Sequence, residues 1–205
     1  MHPKLIRRCL TNRGLILVMI TAPLSLGGCA PMVVGAGAAL GVAVVQERSV
    51  GNAIDDTQIT IRVNQGLLEA ESGLFTKVAV EVVEGRVLLT GAVPEAEDRV
   101  EAVRIAWKVN GVSEVLNEVQ IADRGGITAY ANDVRISSQL RLRLLTDRSV
   151  SDINYSIDTV NGVIYLMGIA VSQEELDTVI GYARGISGVT EVVSHVLNSD
   201  DPRRN

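Results

Sequence analysis

Shifting residues 56–121 by 77 positions lays this chain on itself without a gap. Asp56 falls on Asp133, Ile59 on Ile136, Leu67-Leu68 on Leu144-Leu145 and Val83-Glu84-Gly85 on Val160-Asn161-Gly162. Leu89 falls on Leu166, Gly91 on Gly168, Gly111-Val112 on Gly188-Val189 and Glu114-Val115 on Glu191-Val192. Agreement at turn glycines as well as at apolar positions marks a duplicated unit, so the chain must build two copies of one small domain. In the first copy Ile59, Val63 and Leu67 recur at helical spacing, with Asp55 or Asp56 expected to cap the helix start. Val78, Val80 and Val82 alternate as a half-buried strand. Glu84-Gly85 makes the tight turn, because glycine takes the positive φ that hairpins require, and Val87 and Leu89 carry the returning strand to Gly91. A second helix is expected from about Glu95 to Val109, and Val115, Val119 and Ile121 mark a last strand. The second copy repeats the order with Ile136, Leu140 and Leu144, a turn at Asn161-Gly162, strand residues Ile164 and Leu166, and a helix presenting Leu176, Val179, Ile180, Ala183 and Ile186. The expected fold class is therefore α+β: two tandem domains, each αββαβ, with two helices packed on one face of a three-stranded sheet. Domains this small are marginal alone, which favours packing of one against the other.

Ahead of the repeat, Lys4, Arg7, Arg8 and Arg13 precede an apolar run from Leu15 to Ile20, the layout of a bacterial secretion signal over residues 1–28. Leu26-Gly27-Gly28-Cys29 resembles the lipobox of bacterial lipoproteins. That resemblance implies acylation of Cys29, by palmitate or a similar chain, and cleavage just before it. A plain transmembrane anchor, or a cleaved signal with an incidental cysteine, is the alternative, but the apolar core is short for a span. Residues 29–53 are then the lipidated cysteine and a flexible tether, whose Gly/Ala/Val tract at 30–45 either only links or makes a shallow membrane contact. The expected boundaries are 54–123 for the first domain, 124–129 for a linker, 130–198 for the second domain and 199–205 for a C-terminal tail.

The signal holds four of the 19 Lys+Arg and none of the 24 Asp+Glu, so the chain from residue 29 carries a net charge of −9. An acidic body argues against a nucleic-acid partner, which needs a basic footprint. Cys9 lies in the signal and Cys29 is the acylation candidate, leaving no thiol for a bridge, a metal or a nucleophile. His195 has no recognisable partner motif and is expected to face solvent or satisfy a local hydrogen bond. The carboxylates, as in Glu95, Glu97 and Asp98, follow ordinary helix-surface spacing. Without a phosphate loop or a ligand cluster, no catalytic residue, metal site or cofactor is expected, and the chain is not expected to be an enzyme.

The pattern Val78-x-Val80 … Gly85-x-Val87-x-Leu89-x-Gly91 … Gly111-Val112, repeated at Tyr155-x-Ile157 … Gly162-x-Ile164-x-Leu166-x-Gly168 … Gly188-Val189, resembles the BON (bacterial OsmY and nodulation) domain. A lipobox followed by two such units resembles the dual BON-domain lipoproteins of the outer membrane, and the lead-in Arg48-Ser49-Val50-Gly51 fits that group. The resemblance covers about residues 48–198. It implies an envelope protein, lipid-anchored in the outer membrane and facing the periplasm, that binds anionic phospholipid and supports outer-membrane integrity. Ala30, where inner-membrane retention would call for Asp, agrees with outer-membrane sorting.

A helical wheel locates a candidate lipid contact on the first helix of the second domain. Opposite the buried stripe of Ile136, Leu140 and Leu144 lie Arg135, Ser138 and Leu142, with Arg141 beside them and Arg148 just beyond the helix. An exposed leucine among arginines suits an interfacial helix, the apolar tip entering the acyl boundary while guanidinium forks meet phosphate. The first domain offers Gln58, Ile61, Asn64 and Gln65 there, with Arg62 as its one cation, so the second domain is the better candidate. A solvated face and a protein interface are the competing assignments, and no aromatic anchor is evident. Trp107, the chain's only Trp, is expected at the edge of a buried stripe of Ala102, Val103, Ala106 and Val109. There it covers the core rim, packs on the other domain, or contacts a partner or lipid. The rival to lipid binding is a scaffold whose BON domains hold a protein such as outer-membrane assembly machinery.

Overall fold

The computed structural model describes residues 50–70, 73–123 and 125–204. The expected secretion signal, the expected acylation site at Cys29 and the tract 30–45 lie outside the described residues. The first domain runs α1 (Val50–Glu69), β1 (Val78–Val83), β2 (Arg86–Val93), α2 (Ala96–Trp107), β3 (Glu114–Asn117) and β4 (Gln120–Ile121). The second runs α3 (Gly126–Thr146), β5 (Tyr155–Val160), β6 (Val163–Ala170), α4 (Gln173–Arg184) and β7 (Glu191–Asn198). In each sheet the central strand pairs antiparallel with its hairpin partner and parallel with the last strand, in the orders β1-β2-β3 and β5-β6-β7.

The hairpins turn at Glu84-Gly85 and Asn161-Gly162, with φ of 54° and 75° in the first and 52° and 80° in the second. Positive φ at both central residues gives the primed turn whose twist matches the flanking strands. These turns are held from outside. Asp56, buried inside α1, accepts the Glu84 and Gly85 amides at 2.8 Å each. Asp133 does the same for Asn161 and Gly162 at 2.9 Å each. Asp56 is thus no helix cap: α1 begins at Val50, within the stretch expected as tether, and the carboxylate serves the neighbouring hairpin.

Other boundaries shift for local reasons. The stretch 124–129, expected as a linker, is mostly helix, because α3 begins at Gly126 directly after a left-handed Gly125. The last strand of the first domain breaks into β3 and β4, both on β2, where the Asn117 side chain accepts the Val119 amide and interrupts the ladder. That domain therefore carries a four-stranded sheet, whereas β7 runs unbroken. The expected tail closes in a 3-10 turn at Pro202–Arg204, whose Arg204 makes a two-pronged ion pair with Glu84, both bonds at 3.0 Å.

Alternation along the central strands explains why they read as nearly continuous apolar runs. Val87, Leu89 and Val93 enter the core beneath α1 and α2, as Ile164, Leu166 and Ala170 do beneath α3 and α4. The intervening Leu88 and Ala92 meet Tyr165, Met167 and Ile169, with Val83 and Val160, in a third core between the domains. The helix-free faces of the two sheets are therefore packed back to back, and strands buried on both faces lose the polar half of their alternation.

Polar pairs rim this shared core. Thr90 bonds Asp158, Ser156 donates to Glu81 at 3.0 Å, and Gln120 donates to the Val160 carbonyl and the Tyr165 hydroxyl at 3.2 and 3.1 Å. Arg86 donates to Glu114 at 2.7 Å and to the His195 carbonyl at 3.1 Å. His195, expected to face solvent or bond locally, meets Glu118 at 2.9 Å instead. The two are 77 residues apart, so they hold the same position in the two repeats and meet near the pseudo-twofold axis.

Within the second domain Ser172 caps α4 by accepting the Glu175 amide at 3.2 Å, and the buried Glu175 carboxylate accepts the Val171 and Ser151 amides at 2.8 Å each. Burial, and then the Glu175 carboxylate, push the neighbouring Tyr155 hydroxyl far up. The sign follows from linkage: below the ordinary tyrosine value of about 10 neither folded nor unfolded chain ionises, and above it the unfolded chain ionises first. Stability is therefore expected to fall as pH rises beyond that value. Tyr155→Phe should flatten the alkaline limb of a urea-midpoint profile, and an unchanged limb would exclude Tyr155 as its source.

Candidate functional site

The helix α3 is 21 residues long, two-sided, and supplies the most distinctive surface of the described chain. Asp133, Ile136, Leu140 and Leu144 are buried beneath it. On the opposite side stand Ile127, Tyr130, Val134, Leu142 and Leu145, all exposed, Ile127 at 89% and Leu142 at 62%. At about 100° per residue these five fall within one stripe, which Ser138 and Arg141 complete. The helix carries one acid, Asp133, and that is committed to the hairpin turn, so its exposed charges are all positive.

The expected arginines divide into two kinds. Arg141 and Arg148 are exposed and make no ion pair with a described residue. Arg135 is exposed but engaged: it donates to Asn132, to Gln139 and to the Ser187 carbonyl at 2.8, 3.1 and 2.6 Å. It belongs first to the packing of α3 against the turn after α4. Arg143 is also tied, donating to the Tyr182 and Gly185 carbonyls at 3.0 and 3.4 Å. Beside it the Tyr182 hydroxyl donates to Asp147 at 2.6 Å, which, with Ser149, holds Asp147 below the usual carboxylate range. Leu142 stands on the stripe as expected.

Tyr130 corrects the expectation that the patch lacks an aromatic. Its ring is 53% exposed on the same side as Leu142, and tyrosine suits a surface that is apolar on one side and wet on the other. Ile127 was missed because it lies in the stretch 124–129 expected as a linker, whereas Tyr130 opens the expected second domain but was not placed on the helix face. Val134 and Leu145 were not among the expected residues, although spacings of three, four, eight and three from Ile127 to Leu145 follow one face of the helix. The matching helix α1 exposes Ile61 and Leu68, but with Asp55 and Glu69 beside its single Arg62.

Trp107 ends α2, half exposed and outside the apolar core, with Val100 exposed seven residues before it. Among the described residues no helix is long and apolar enough to cross a membrane, and no group of three or more His, Cys, Asp or Glu is placed to hold a metal ion. The α3 surface is suited to adsorption: apolar side chains to enter an apolar layer, cations to meet anions at its edge.

Comparison with known proteins agrees with the duplicated architecture. The BON domain model matches residues 55–123 and again 132–197. An uncharacterised protein from the gshII 5′ region of Anaplasma centrale is 44% identical over 144 residues, 70% of this chain and 94% of that protein. Osmotically-inducible protein Y of Escherichia coli is 31% identical over 145 residues, 70% of this chain and 72% of its own length. Outer membrane lipoprotein DolP of Haemophilus influenzae is 28% identical over 180 residues, 87% of this chain and 92% of its own length.

Proposed function

From the premise that the chain belongs to the BON family, as a dual BON-domain protein similar to DolP and OsmY, we propose that it is a non-enzymatic protein of the bacterial envelope that binds anionic phospholipid through α3. In this reading, which those relatives and the lipobox-like Leu26–Cys29 support, Cys29 anchors it in the outer membrane, both domains face the periplasm, and its binding supports the integrity of that membrane. The observation that carries the lipid reading is the exposed stripe Ile127, Tyr130, Val134, Leu142 and Leu145, flanked by the uncommitted cations Arg141 and Arg148. Such a helix binds by buried apolar area plus attraction to anionic headgroups. Anchoring at Cys29 keeps the face beside lipid at high effective concentration, so a weak contact suffices.

The test is sedimentation of residues 30–205 with vesicles. Phosphatidylglycerol vesicles are expected to carry the protein down at low salt and to release it as salt rises through the Debye regime, while neutral phosphatidylcholine vesicles leave it in solution. Failure to sediment with phosphatidylglycerol at any salt would refute the lipid reading. The second reading, an envelope scaffold that binds a protein partner, has the exposed pair Val100 and Trp107 behind it, because a tryptophan at a helix end is a common anchor for a protein contact.

A further inference from the structure

The repeat turns one domain into a reference for the other, and the two differ at the turn after the second helix. In the second domain the Arg135 guanidinium lies over Gly188, where a Cβ would stand 3.0 Å from Nη2. It is held there by the Asn132 side chain, Gln139 and the Ser187 carbonyl. Subtracting 77 converts Asn132, Arg135, Gln139, Ser187, Gly188 and Thr190 into Asp55, Gln58, Arg62, Asn110, Gly111 and Ser113. Those six residues line a hollow of about 550 Å³ in the first domain. The cradle is repeated, but a short neutral Gln58 stands where its arginine would be.

We propose that this hollow is a docking seat for an arginine side chain of a partner protein. Asp55 replaces the Asn132 amide with a carboxylate, which strengthens a guanidinium contact, and it makes no ion pair with a described residue. The Asn110 carbonyl stands where the Ser187 carbonyl receives Arg135. A planar fork spans two such acceptors at once, which a lysine ammonium does less well. The tail cations that border the hollow are already engaged, Arg203 with Asp201 and Arg204 with Glu84, so neither pairs with Asp55. Arg62 takes the place of Gln139, removing the third acceptor and confining the incoming cation to the Asp55 side. The acidic balance of the chain adds a field that favours a basic partner.

The amides of Gly111 and Ser113 report on the seat by NMR in residues 30–205, titrated with Nα-acetyl-arginine N-methylamide and with its lysine analogue. The arginine probe is expected to give saturable shifts that the lysine probe does not. Asp55→Asn should weaken binding about tenfold by removing the charged acceptor, and Arg62→Gln should tighten it by restoring the third. Gln58→Arg rebuilds the arrangement of Arg135 and should abolish binding by filling the seat from within. No saturable shift, an equal response to lysine, or undiminished binding in folded Gln58→Arg would overturn the proposal. Tighter binding of free L-arginine than of the capped probe would overturn the assignment to a protein partner in favour of a small molecule.

Discussion

Replacing Asp56 and Asp133 together by alanine is expected to cost about 3 kcal/mol per site and to leave a fraction of the chain unfolded in the absence of denaturant. Each carboxylate accepts two backbone amides of a hairpin turn from a position inside a helix. Removing it takes the acceptor from two backbone amides and frees the turn from the helix beneath it. The first turn should suffer more, since Glu84 is held at a φ that favours asparagine or glycine, whereas Asn161 suits its own. Asp→Asn variants keep one acceptor oxygen and should fall between. Urea midpoints followed by circular dichroism check this, and midpoints of both alanine variants within error of the parent would show that the turns hold themselves.

The second large effect is on membrane affinity. Leu142→Asp with Leu145→Asp is expected to weaken binding to phosphatidylglycerol vesicles about a hundredfold. Each leucine forfeits part of the 1.5–3 kcal/mol gained by complete burial, about one factor of ten apiece, and the added carboxylates oppose the headgroups. Both side chains are exposed in the folded chain, Leu145 at 60%, so the melting temperature should hold. Leu68→Asp is the control, because Leu68 occupies in α1 the position of Leu145 in α3 and is as exposed, yet has Glu69 beside it. An equal loss of binding in Leu68→Asp would move the contact away from α3, and retained binding in the α3 double variant would sink the assignment outright.

Both effects show what a linear chain discloses. The repeat, the hairpin turns and the buried stripe of Ile136, Leu140 and Leu144 were legible because each depends on local spacing, and spacing is what a sequence records. Asp56 and Asp133 were visible as a repeated pair but not in their role, since the amides they satisfy lie 28 and 29 residues away. The lipid candidates Arg141 and Leu142 could be read on a wheel, and Arg148 as a cation just beyond the helix end. Ile127 could not, because two consecutive glycines at 125–126 read as a linker although they open a helix, and Tyr130, just past that stretch, carried no signal that the helix had already begun. The contact between domains was least accessible. Leu88, Tyr165 and Met167 look like ordinary core residues, and the meeting of Glu118 with His195 depends on a symmetry axis that no local pattern encodes.

Because the sheets meet back to back, each pair of helices faces away from the other. With α3 lying on lipid, α1 and α2 stand on the far side of two sheets and a helix layer, on the order of 30 Å above the headgroups at ordinary layer spacings. On the proposed reading the molecule would act as a pedestal. One domain would serve as footing and the other would stand away from the bilayer, so a protein docking near Asp55 or Trp107 would be received clear of the membrane surface.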